Sequence, residues 1–102
     1  MYLRLTDLGN FDVLTSHMYD AAGNKIDRDL MLGDVVTINE TVDNTVPGGV
    51  YTRITRVSDK SWITVMGHVL FDRSSKMYRM KEDRFRMQFE KLKAREVADI
   101  VN

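Results

Sequence analysis

The chain has no cysteine, one proline and two histidines in 102 residues. Without cysteine there is no disulfide framework, no thiolate nucleophile and no zinc site built on thiolates. His17 and His68 lie far apart in sequence. A metal centre wants further histidine or carboxylate ligands at helical or hairpin spacing, so the expectation is no metal. No apolar run approaches the roughly 18 residues that a membrane helix needs, and no apolar leader follows Met1. The expectation is a cytoplasmic protein without membrane contact, as suits a cysteine-free chain. The Asn39-Glu40-Thr41 sequon then reads as chance.

Signatures of catalysis are also missing. There is no nucleophile elbow and no phosphate-cradling glycine loop with its lysine. Gly48-Gly49 lacks that lysine and reads as a permissive turn. Asp27, Asp29 and Asp34 form a small acidic cluster. They lack the glycine and closing glutamate of a calcium loop and read as solvated turn residues. The chain is expected to be no enzyme and to carry no cofactor.

What is present points to a folded β-rich domain. Hydrophobic residues make up 43% and charged residues 29%, an ordinary globular balance. Residues 1–102 are expected to form a single domain. At its centre two β-favouring runs, Val50 to Val57 and Trp62 to Met66, flank the polar turn Ser58-Asp59-Lys60-Ser61. The second arm is expected to run on through Gly67 to Phe71, with a bend at the glycine. Further strands are expected at Tyr2–Thr6, Phe11–Tyr19, Lys25–Ile26, residues 34–39 and residues 77–81. Asp20-Ala21-Ala22-Gly23-Asn24 and Arg73-Ser74-Ser75-Lys76 read as turns. Glu40 to Gly49 reads as a long polar loop. From Glu82 the period changes. Phe85, Phe89, Leu92, Val97 and Ile100 recur at spacings of three and four or close to it, which predicts an amphipathic helix over about 84–100. The expected core is Val36, Ile38, Ile54, Trp62, Val65, Phe85, Phe89 and Leu92. The fold class is therefore mainly β with a C-terminal helix, a small antiparallel barrel or curled sheet covered by that helix.

Net charge is zero, yet it is unevenly spread. In residues 1–52, three basic groups against eight acidic ones leave −5; in residues 53–102, twelve against seven leave +5. Either a basic face serves an acidic partner, or the halves interleave and the charges mix. The basic half is interleaved with aromatic residues Trp62, Phe71, Tyr78 and Phe85. Basic groups neutralise phosphates and exposed aromatics stack on bases. The candidate nucleic-acid contacts are Arg53, Arg56, Lys60, Arg73, Lys76, Arg79, Lys81, Arg84 and Arg86. Strand alternation sends Arg53 and Arg56 to opposite faces, so one of them belongs near the turn.

Leu32-Gly33-Asp34-Val35-Val36-Thr37-Ile38, followed by Pro47-Gly48-Gly49-Val50-Tyr51-Thr52-Arg53-Ile54, resembles the KOW-type motif. That motif belongs to small Src-homology-3-like barrels of transcription and translation proteins. The resemblance spans about residues 32–57 and implies a small β-barrel associated with nucleic acid. Its departures are a longer loop between the halves, and Glu40 and Asp43 where basic residues would help. A compact β-barrel with an added helix also looks similar to small accessory proteins of tailed bacteriophages.

Two functional readings follow. One is a non-enzymatic regulator that binds DNA or RNA through a basic face. The other is an interaction module or inhibitor that binds a host or partner protein. It would use the adaptable methionines Met77, Met80 and Met87 together with Phe89.

Overall fold

The computed structural model describes residues 1–8, 18–26, 30–43, 49–66, 69–80 and 87–101. The strands are β1 (Tyr2–Asp7), β2 (Met18–Tyr19), β3 (Lys25–Ile26), β4 (Val35–Asp43), β5 (Gly49–Arg56), β6 (Trp62–Met66), β7 (Val69–Asp72), β8 (Met77–Met80) and β9 (Gln88–Lys91), and one helix follows, α1 (Ala94–Val101). The protein is mainly β, with one short C-terminal helix on an open antiparallel sheet. The strand order is β3-β2-β6-β5-β4-β1-β9-β8-β7.

That order forces the sheet to curl. β6 and β7 stand six places apart. In a flat sheet this would be about 29 Å at roughly 4.8 Å per strand. Yet Met66 and Val69 are separated by three peptide steps, at most about 11 Å of chain. The expected single arm over 61–71 is thus two strands serving distant parts of the ladder, β6 between β2 and β5 and β7 beside β8. The bend expected at Gly67 lies outside the described residues.

The inner face of the curl is the core. Along β1 and β6 burial alternates, with Leu3, Leu5, Ile63 and Val65 turned in. Register joins them into continuous rows. Ile38, Ile54 and Ile63 line up across β4, β5 and β6. Leu5, Phe89, Tyr78 and Phe71 line up across β1, β9, β8 and β7. Val36, Ile54, Val65, Phe89 and Leu92 are buried as expected. Trp62 is not; it is half-buried on the outer face. Phe85 lies outside the described residues.

Three sequence expectations need correction. The helix over 84–100 gives way to strand Gln88–Lys91 and a shorter helix Ala94–Val101. Phe89 and Leu92 have helical spacing, but Met87 and Phe89 alternate equally well with Gln88 and Glu90. The open side of β1 selects the strand, because Leu5 pairs with Phe89 and Arg4 with Glu90. Residues 84–86 lie outside the described part. The polar loop over 40–49 is shorter than expected. β4 runs to Asp43, and Glu40, Thr41, Val42 and Asp43 pair with Thr52, Tyr51, Val50 and Gly49. The strand expected over Tyr2–Thr6 runs one residue further, since Asp7 still belongs to β1. Of the strand expected over 11–19, Met18–Tyr19 is described.

The helix is fixed at its start. Leu92 N–H donates to the Tyr2 carbonyl at 3.0 Å, and Val97 N–H donates to the Lys93 carbonyl at 3.0 Å. The Glu96 carboxylate reaches back to accept Lys93 N–H at 3.3 Å, half of a capping box. The same carboxylate accepts the Arg4 guanidinium, which also donates to Glu90 at 2.7 Å. Arg4 therefore ties β1 to β9 and to α1.

Candidate interaction surface

The basic residues picked from the sequence fall into separate environments. Arg56 lies on the inner face and is 7% exposed. Its Nε and Nη2 donate to Asp59 at 3.1 and 2.9 Å, and its Nη1 donates to Asp34 at 3.2 Å. The forked contact with Asp59 matches guanidinium to carboxylate geometry. Asp59 also accepts Ser61 N–H at 3.0 Å, and Asp34 accepts Met31 N–H at 2.8 Å. Arg56 holds the Asp59 carboxyl well below the usual carboxylate range, helped by Ser61, and Asp59 in turn raises Arg56. This network staples the β5–β6 turn to the turn before β4. In that turn Lys60 takes φ +61°, while Gly33, before β4, takes φ +89°. Arg56 is thus a structural cation and does not join a basic face.

Arg53 is on the outer face and exposed, as alternation demands. Its guanidinium sits 4.0 Å from the centroid of the Trp62 ring. Tyr19 stacks on the same indole at 4.7 Å and 25°. With these two partners against its ring, Trp62 is not a free platform for a base.

Lys60 is exposed at the β5–β6 turn. Arg73 and Lys76 are exposed at the β7–β8 turn, where Lys76 takes φ +56°. Arg79 is exposed on β8 and lies 3.5 Å from Asp72. The Asp72 carboxylate accepts the Ser74 hydroxyl at 2.7 Å and the Ser74 N–H at 3.0 Å; Ser74 before Arg79 keeps it below the usual range. Lys81, Arg84 and Arg86 lie outside the described residues. The expectation that Arg56 joins a basic face is corrected accordingly. Arg53, Arg56 and Lys60 share the β5–β6 hairpin but divide between its outer face, its inner face and its turn, whereas Arg73, Lys76 and Arg79 are all exposed on the β7–β8 hairpin.

The methionine surface also needs correction. Met87 and Phe89 are both 0% exposed and belong to the core, so neither is offered to a partner. Met77 is half-buried, and the Met80 side chain lies outside the described part.

Alternation and burial single out something else. Leu70 and Phe71 are 49% and 50% exposed, neighbours on β7 and turned to opposite faces of the sheet. Phe71 faces Tyr78 across the hairpin, with ring centroids 5.0 Å apart. Leu70 faces Arg79. β7 ends the strand order. Its Phe71 continues the inner row past the point where other side chains cover it. The residues came from sequence as strand positions; their exposure depends on β7 being an edge, which no local pattern encodes. The structure therefore brings two apolar side chains, one half-buried tyrosine and three cations together on one hairpin.

Among the described residues no group of three histidine, aspartate or glutamate side chains is placed to hold a metal ion. Among the described residues no helix is long and apolar enough to cross a membrane. His17 and His68 lie outside the described residues. No protein-family model, no curated protein and no solved structure matches this chain.

Proposed function

We propose that this protein is a non-enzymatic, regulatory interaction module that binds another protein through the β7–β8 hairpin. The observation that carries the reading is the adjacent, half-exposed Leu70–Phe71 pair on an edge strand. Large apolar side chains at a sheet edge invite association, and edges without a binding role are usually blunted. A KOW-type motif over about residues 32–57, within the curled sheet, is the refinement we favour. Its support is the glycine turn at Gly33 leading into the paired strands β4 and β5. A cytoplasmic location suits a chain with no cysteine to oxidise.

The test is retention of proteins from a source extract on the immobilised chain. The doubly substituted Leu70→Ser, Phe71→Ser chain should lose a protein that the native chain and an Arg53→Ala control retain, at unchanged circular dichroism. Equal retention by all three would reject the hairpin as the surface.

A second reading, nucleic-acid binding, draws on Arg73, Lys76 and Arg79 beside Phe71 and Tyr78. It requires affinity for a single-stranded DNA or RNA oligonucleotide that falls steeply with salt. Arg73→Ala with Arg79→Ala should then make that slope shallower. Absence of binding at low salt removes this reading.

A further inference from the structure

We propose that β7 accepts an extended, acidic segment of the partner protein as an added strand; the inference rests on the hairpin being the contact surface. The two ends of the sheet differ. β3 is two residues long and carries the exposed Lys25, the usual means of blunting an edge. β7 is four residues long, and its Val69-Leu70-Phe71 stretch carries no charge or proline. Among the described residues β7 has a ladder partner on its β8 side alone. Backbone donors and acceptors on a free edge recognise another extended chain, and alternate side chains select its sequence. An added strand would meet Phe71 on the inner side and Leu70 on the outer side, so it gains one apolar neighbour per face.

Charge chooses the occupant. Arg73, Lys76 and Arg79 are all exposed on this hairpin. Its one acid, Asp72, is engaged by Ser74 and Arg79. An acidic segment meets a net positive hairpin there, with Arg73 and Lys76 beside an Arg79 shared with Asp72. A second copy of the same hairpin would bring cations against cations and is disfavoured.

The test uses the full isotope-labelled chain and capped peptides of about seven residues, long enough to match a strand. One alternates glutamate with valine, and one alternates lysine with valine. Two isomers of the glutamate peptide carry N-methyl groups on alternate amides, odd in one and even in the other. The glutamate peptide should shift the amides of Val69 to Asp72 and bind about tenfold or more tightly than the lysine peptide. One N-methylated isomer should lose binding while the other keeps it, since one edge of a strand faces the sheet. Equal binding by both isomers, with shifts still at the hairpin, overturns strand addition and leaves the hairpin surface standing. Shifts confined to other elements overturn both. Equal affinity for the lysine peptide, or no shift with the glutamate peptide at millimolar concentration, overturns the acidic strand. Concentration-dependent shifts at β7 without peptide identify a second copy as the occupant, and tighter oligonucleotide binding at the same amides identifies nucleic acid; each overturns the proposal.

Discussion

Arg56 shows how a cation can leave the surface and become part of the frame. It is the last residue of β5, turned inward, and it meets one carboxylate three residues on and another before β4. Removing it takes the cation from two partly exposed carboxylates, which keep the Ser61 and Met31 N–H donors. Arg56→Ala should destabilise the protein by about 2–3 kcal/mol, less than the roughly 3–5 kcal/mol of a broken buried pair because Asp59 and Asp34 keep some water. Urea unfolding at neutral pH checks this. The pH dependence has a fixed sign. Asp59 is depressed in the folded state, so its contribution is complete above the ordinary carboxylate range and drains away as pH falls below it. Native protein should therefore lose stability on acidification through that range, and the Arg56→Ala chain should lose less. An equal acid loss in both would place the sensitivity elsewhere. Part of this was legible in the sequence. Strand parity separates Arg53 from Arg56 and assigns one of them to the turn. Parity does not say which one goes inward. That follows from the β4–β5 register, in which Val36 stands opposite Arg56 and brings Asp34 within reach.

At the scale of elements, the central hairpin was the most readable piece. Thr52, Ile54, Ile63 and Val65 alternate inward, and Ser58 to Ser61 supply the turn. The C-terminal stretch was readable only in part, because Met87, Phe89 and Leu92 fit two periods. The free side of β1 decided between them. Nuclear Overhauser contacts between the Leu5 and Phe89 backbones, and between Tyr78 and Phe89, are expected; sequential helical contacts over 88–91 would refute β9. Glu96 is the element-level hinge of the helix. It caps Lys93 and accepts Arg4, with Arg4 the larger cause of its depressed pKa. Glu96→Ala should speed amide exchange at the start of α1 and leave β4–β5 exchange unchanged. Acid should act in the same direction as it protonates Glu96. Unchanged exchange in α1 would mean that the cap and clamp do not hold the helix.

For the whole molecule, the strand order crosses the sequence split of −5 and +5. β4 and β1 of the first half stand between β5, which straddles the division, and β9 of the second, and Arg4 and Arg56 each bond to acids from elsewhere in the chain. The halves interleave, so clustering has to be sought element by element. The sequence could not show that β6 and β7 part to places six strands apart in the ladder. That division depends on which strands pair, and it leaves β7 as an edge. On the proposed function, Leu70 and Phe71 serve contact, while Phe89 on the same curled sheet serves the core. Urea unfolding of Leu70→Ser, Phe71→Ser and Phe89→Ala tests it most directly. The half-exposed pair should each cost about 1 kcal/mol, and Phe89→Ala about 3–5 kcal/mol. A loss of about 3 kcal/mol or more from either β7 substitution would make those residues core and remove the basis for the binding edge.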